Sequence, residues 1–243
     1  MAISTNPLAW LRSVQPRRAI ALLLLLLPLT VGAQTVRDLW LSMPPSFAPY
    51  LSTSLRTQCL DFYEMHTDAQ TDNALKGKSR IDTLTSTFLA ATLSKAHTLQ
   101  MKLLPASGSG LGAASASASG SASGSGSSSS LSSCDSVLCV VRSWDGPKRD
   151  SEVQLFDRQW KPLQAPLTFS ADSFVCRPDT MSEERFSRLV ALLDPIMFSV
   201  SLSPAENVLL VKLSTVVPNP EDEKAIEQIL VQRKLKWDGK TFK

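Results

Sequence analysis

The chain has 243 residues, with 25 Lys and Arg against 22 Asp and Glu, a formal charge of +3. The whole excess sits in Arg12, Arg17 and Arg18, because no acid or lysine precedes Gln34; residues 34–243 balance at 22 against 22. Net charge therefore gives no basis for a nucleic-acid or anionic-membrane surface, and the length supports one sizeable core or two small ones.

The three arginines precede an apolar run that includes six leucines, Leu22 to Leu27, and closes on Val31-Gly32-Ala33. This is the pattern of an export signal cleaved after Ala33, so a periplasmic or secreted product beginning at Gln34 is expected. The core from Ala19 to Val31 is 13 residues, short of the ~20 that a spanning helix needs. Nothing later approaches that length, so no transmembrane segment is expected in the mature chain.

Val36 to Met43 reads as a short helix, with Thr35 and Asp38 at capping-box spacing and Pro44-Pro45 ending it. Trp40, beside Pro44 and Pro45, is the candidate partner anchor. Leu55 to His66 reads as an amphipathic helix, its stripe formed by Leu55, Cys59, Phe62, Tyr63 and His66. Thr87 to Leu93 and Thr98 to Leu104 alternate as strands with a turn at Ser94–His97, where His97 reads as a solvated turn residue. In the second strand Leu99, Met101 and Leu103 form one face and Gln100 and Lys102 the other.

Residues 106–133 are nearly all Ser, Gly and Ala and have little to bury, so a flexible, solvated coil is expected. Ser136 to Ser143 is strand-like again, with Val137, Cys139 and Val141 on one face. If it pairs with Thr98–Leu104, the coil is an insertion in a hairpin loop. Lengthening a loop from about four residues to about 28 costs roughly 1.7 kcal/mol, which a domain of this size absorbs. This reading, a single domain over 34–243, is preferred to a split into 34–105 and 134–243. Asp145-Gly146-Pro147 then turns the chain into Glu152–Phe156.

The last third is the most regular. Thr180 to Glu183 has capping-box spacing ahead of Phe186, Leu189, Val190 and Leu193, and Pro195 stops that helix. Ile196–Leu202 and Leu209–Leu213 alternate as a hairpin. Asn219-Pro220 starts a helix that buries Ile226, Ile229 and Leu230, with Glu221 to Glu223 at its positive end and Arg233, Lys234 and Lys236 at its negative end. Trp237, an Asp238-Gly239 turn and Phe242 close the chain. Hairpins interspersed with a few short helices give an α+β class built on an antiparallel, hairpin-rich sheet.

Cys59, Cys134, Cys139 and Cys176 are the four cysteines of the chain. In an oxidising compartment two disulfides are the default, in one of three connectivities. Cys134 and Cys139 would lie roughly 16 Å apart in continuous strand, which demotes that pair without removing it. Cys59 and Cys139 also read as buried thiols. An enzyme reading rests on Cys59 as nucleophile with His66 or His97 as base, or on scattered carboxylates; Cys59 and His66 would share a helix face roughly 10 Å apart. No catalytic, cofactor-binding or metal-binding residues are assigned: there is no C-x-x-C pair, nucleophile elbow, Walker lysine or calcium loop.

Several phrases together resemble a family of small secreted Bacteroidales proteins, domain of unknown function 3256. They are Asp38-Leu39-Trp40, Ser42-Met43-Pro44, Pro49-Tyr50-Leu51, Cys59-Leu60-Asp61-Phe62, Gly77-Lys78-Ser79 and Met101-Lys102-Leu103-Leu104. Cys134-Asp135-Ser136, Cys139-Val140-Val141, Trp160-Lys161-Pro162-Leu163, Leu202-Ser203 and Trp237 with Gly239 and Phe242 continue the series. The resemblance implies a Gram-negative periplasm or envelope and one domain with a short loop where this chain has its coil. It carries no functional residues. The expected function is a non-catalytic binding or assembly module for an unknown envelope protein or glycan, with a sheet edge or the Trp40 region as docking surface and no cofactor.

Overall fold

The computed structural model describes residues 34–106 and 136–243. The expected export signal, most of the Ser/Gly/Ala segment and Cys134 lie outside the described residues. Two short helices open the fold. In α1 (Val36–Ser42) the Thr35 side chain accepts from the Asp38 N–H while the Asp38 carboxylate takes the Thr35 N–H at 2.8 Å, completing the expected capping box. Helix α2 (Thr53–Glu64) is capped by Ser52 and ends before His66, which turns the chain with φ 53.

Six antiparallel strands follow as a meander: β1 (Thr71–Asp72), β2 (Lys78–Leu84), β3 (Phe88–Ser94), β4 (His97–Pro105), β5 (Ser136–Asp145) and β6 (Arg149–Phe156). Strands β4 and β5 pair from His97↔Trp144 to Pro105↔Ser136, so the flanks of the Ser/Gly/Ala segment are direct neighbours. A 3-10 turn (Ala171–Phe174) and α3 (Glu183–Ala191) lead to a second meander, β7 (Met197–Leu202), β8 (Val208–Ser214) and β9 (Arg233–Lys236). Helix α4 (Pro220–Ile229) lies between β8 and β9 in sequence, with Asn219 as cap and Pro220 at its start. With four helices beside nine antiparallel strands in two sheets, the fold is α+β.

The six-stranded sheet separates two cores. On one face Leu89, Ala91, Leu99, Met101, Leu138 and Val140 pack under α1 and α2, with Trp40 and Leu60. On the other, Leu104, Val137, Cys139, Val141, Val153 and Leu155 meet Val200, Leu209 and Val211 of the small sheet and Ile226 of α4. The small sheet presents the edge of β7 to this face. The Phe198 N–H donates to Asp150 Oδ1 at 3.1 Å, Val200 N–H to Ser151 Oγ at 3.1 Å, and Leu202 N–H to Gln100 Oε1 at 2.7 Å. Side chains of the large sheet thereby satisfy alternate edge groups that another strand would otherwise pair.

Gln100 and Lys102 thus do not form the wet face their alternation suggests. Lys102 is 2 % exposed, and its ammonium donates to Ser203 O at 2.6 Å, Pro204 O at 3.1 Å and Glu206 O at 2.7 Å, one acceptor for each proton. The helix side holds a counterpart in Arg56, also 2 % exposed. Its guanidinium donates to Leu51 O, Leu41 O and Met43 O at 2.9–3.1 Å and so closes the C-terminal end of α1. Two further expectations are corrected. Ser182, rather than Thr180, caps α3. Arg233, Lys234 and Lys236 belong to β9 rather than to the end of a helix, because Arg233 to Lys236 pair with Val208 to Val211.

Candidate functional site

The expected disulfides are not formed among the described cysteines: Cys59, Cys139 and Cys176 are free thiols. Cys59 belongs to the helix-side core and Cys139 to the opposite core, so the sheet itself stands between them. Cys176 is exposed on the segment after the 3-10 turn. Burial pushes the Cys59 and Cys139 thiols up, away from the reactive thiolate. The Cys59 S–H points at Ser79 O, 3.8 Å away, and His66 is exposed beyond the end of α2. Trp40 is wholly buried and donates its indole N–H to Arg56 O at 3.0 Å. It belongs to the core, not to a docking surface; of its neighbours, Pro45 is exposed and Pro44 half-buried.

His97 is likewise no solvated turn residue. It is 9 % exposed at the start of β4, hydrogen-bonded through Nδ1 to the Tyr50 hydroxyl and stacked on Trp144 with ring centres 5.4 Å apart. The Arg142 guanidinium lies over Trp144 at 5.5 Å and over Phe47 at 5.1 Å, and pairs with Glu152 at 2.6 Å. Burial first, and the Arg142 charge second, lower the His97 pKa, so the ring is neutral near pH 7. Periodicity could not reveal this cluster, because its members come from the 44–51 loop, β4, β5 and β6.

Two clefts occur at the β1–β3 side of the sheet. Strand β1 pairs only Thr71 with Ser79 and Asp72 with Lys78, so β2 from Arg80 onward has β3 on one side and no strand of the described residues on the other. The first cleft, about 520 Å³, lies along that open edge, between Arg80–Asp82 and the end of α2 with residues 67–70. Phe62 and Tyr63 contribute the helix wall, His66 the turn that follows it, and Cys59 reaches the cleft from below. Beyond the cleft the Leu84 N–H is taken by the Tyr63 hydroxyl at 3.1 Å.

The second cleft, about 480 Å³, shares Gln70 and Arg80 with the first. It lies over the face of β2 and β3 that carries Lys78, Arg80, Thr92 and Ser94, with Lys76 and Lys95 from the adjoining turns. That face is opposite Ile81, Ala91 and Leu93, which are buried under the helices. Along this face of β3 Phe88 is buried in the small-sheet core, whereas Ala90, Thr92 and Ser94 are half-buried. Among the described residues no group of three or more His, Cys, Asp or Glu is arranged to hold a metal.

The profile of a family described as "Protein of unknown function (DUF3256)" matches residues 28–111 and 129–242. The chain belongs to the DUF3256 family. The match is interrupted over 112–128, inside the Ser/Gly/Ala segment. A solved structure of a domain of an uncharacterized protein from Porphyromonas gingivalis W83 is similar, at 21 % identity and a TM-score of 0.57. The alignment covers 86 % of this chain and 98 % of that domain, and at such identity the likeness concerns the fold alone. No curated protein matches the chain. Among the described residues of this DUF3256 member, no helix is long and apolar enough to cross a membrane.

Proposed function

We propose that this DUF3256 protein is exported and acts in the periplasm or envelope as a non-catalytic binding or assembly module, its partner a protein or glycan docking along the cleft at the open edge of β2. The observation that carries the reading is the construction of that cleft. A strand edge without a neighbouring strand among the described residues lies beside Phe62 and Tyr63 of α2 and the following His66, an arrangement suited to an extended ligand that adds to the edge. The chemistry available there supports binding over nucleophilic catalysis. Cys59 is 2 % exposed, donates to a main-chain carbonyl and is held protonated by burial.

Export rests on the N-terminal pattern ending at Ala33, and mass spectrometry of the protein from its own cells is its test: the reading expects a chain beginning at Gln34. For the binding role, the tagged protein is crosslinked in its native envelope and recovered. One stoichiometric partner, lost when Asp82 and Phe62 are replaced, supports the reading. A clean monomer, or a partner indifferent to those changes, sinks the assignment to this cleft.

A further inference from the structure

The second cleft differs in charge from the rest of a chain that is neutral over 34–243. Its lining holds four cations, Lys76, Lys78, Arg80 and Lys95, and no carboxylate. Nearby acids answer only half of them: Asp72 pairs with Lys78 at 2.6 Å and Asp82 with Arg80 at 2.7 Å. Lys76 and Lys95 have no acidic partner among the described residues.

The two turns that carry these lysines are held together by buried polar groups. Asn73, 5 % exposed, accepts the N–H groups of Leu75 and Gly77 at 3.0 Å, fixing the β1–β2 turn. Its amide donates to Ser79 Oγ at 3.0 Å and to Leu93 O at 2.9 Å, and Ser79 Oγ donates to the same Leu93 O at 2.6 Å. Leu93 lies two residues before Lys95, so this network ties one turn to the other. Lys76 itself adopts φ 58, a left-handed conformation uncommon for a side chain of this size. Backbone strain of this kind persists where the surroundings over-determine it, and it recurs at ligand clamps.

Lysine acts on a phosphate or sulphate group as a point charge, whereas a planar carboxylate favours the paired donors of arginine. The single arginine here is already engaged by Asp82, which also accepts the Thr92 hydroxyl at 2.7 Å, and Ser94 adds a hydroxyl to the lining. We propose that the Lys76–Lys95 cleft binds a phosphate or sulphate ester group of an envelope ligand, with the two unpaired lysines supplying the charge and the edge cleft beside it receiving the rest of the molecule. This deepens the binding-module reading and rests on it for its biological sense.

The test is an NMR titration of the purified protein with sodium phosphate against sodium chloride at equal ionic strength. Saturable shifts at the Lys76, Thr92 and Lys95 amides are expected, weakened at least about tenfold in the double variant Lys76→Gln/Lys95→Gln, which removes both charge-assisted contacts. The variant Lys76→Gly removes one of the two charges while relaxing the backbone, so weakened binding there is not a failure to fold. Sedimentation with anionic and zwitterionic phospholipid vesicles separates the sources. Lysine-dependent binding to anionic vesicles assigns a lipid headgroup, and a response to free phosphate alone assigns a soluble ester. Shifts that match those in chloride, or that persist in both variants, overturn the proposal. Recovery of a native partner would still leave the wider binding reading standing in that case.

Discussion

The two halves of the large sheet differ in how many faces they bury. Strands β4 to β6 have core on both sides, the helix-side core with Phe47 and Trp160 on one and the small sheet on the other, and Lys102 of β4 is enclosed between them and the small sheet's turn. Strands β1 to β3 are covered on the helix side, with cover on the other reaching only Phe88 and Ala90 of β3, and β2 alternates exposed Lys78, Arg80 and Asp82 with buried Ser79 and Ile81. The closed half supplies rigidity, and the open half leaves a strand edge and a polar face available beside it. The first cleft lies where β1 ends after two residues, and the second over the face of β2 and β3 that carries Arg80 and Thr92.

The largest effects are expected where buried cations hold the closed parts together. Lys102→Ala should cost about 3 kcal/mol in denaturant unfolding, because three carbonyls of the β7–β8 turn lose their donor. Arg56→Ala should cost a similar amount on the helix side. Lys95→Ala, on the open half, should stay within about 0.5 kcal/mol. Equal, small losses at all three positions would erase the distinction between the halves.

The cysteines sharpen the contrast next. Cys139→Ser places a hydroxyl in an apolar core and should cost about 1–3 kcal/mol, whereas Cys176→Ser should change stability little. In the folded protein a thiol reagent should label Cys176 and spare Cys59 and Cys139. Rapid labelling of Cys59 would revive the nucleophile reading that its burial disfavours.

A smaller, pH-dependent effect is expected from His97. Its folded pKa lies below the ordinary 6.5, so on acidification the unfolded chain takes up the proton first. The neutral ring's contribution is therefore complete above about pH 6.5 and is lost as pH falls through the lowered folded value. Thermal unfolding at pH 7 and pH 5 should differ less in His97→Gln than in the native chain. Smallest of all, Lys76→Gly should raise stability by about 0.5 kcal/mol as the left-handed strain is released. A loss of stability there would mean that the Lys76 side chain packs usefully in the free protein.

Local signals carried much of the architecture. Thr35 and Asp38 announced a capping box, Asn219-Pro220 a helix start, and the alternation of Met101 and Val141 two strands able to pair across the Ser/Gly/Ala segment. These features depend on neighbours a few residues away, or on the period of two that any half-buried strand must show. The candidate site was far less legible. Cys59 was visible as a stripe residue and His97 read as a turn residue, while Arg80, Lys76 and Lys95 carry no local pattern that sets them apart from other charged residues.

Sequence alone thus determined most of the elements, their class and the neutrality of the chain beyond Ala33, because propensity, capping and periodicity are local; β1, β2 and β9 were not among them. Tertiary structure decided which polar residues are buried. Lys102 is enclosed because the β7–β8 turn, a hundred residues away, offers it three carbonyls. Trp40 is a core residue because Arg56 and α2 close over it. The clefts exist because β1 ends after two residues and the small sheet covers only half of the large one, and both depend on chain segments meeting in space.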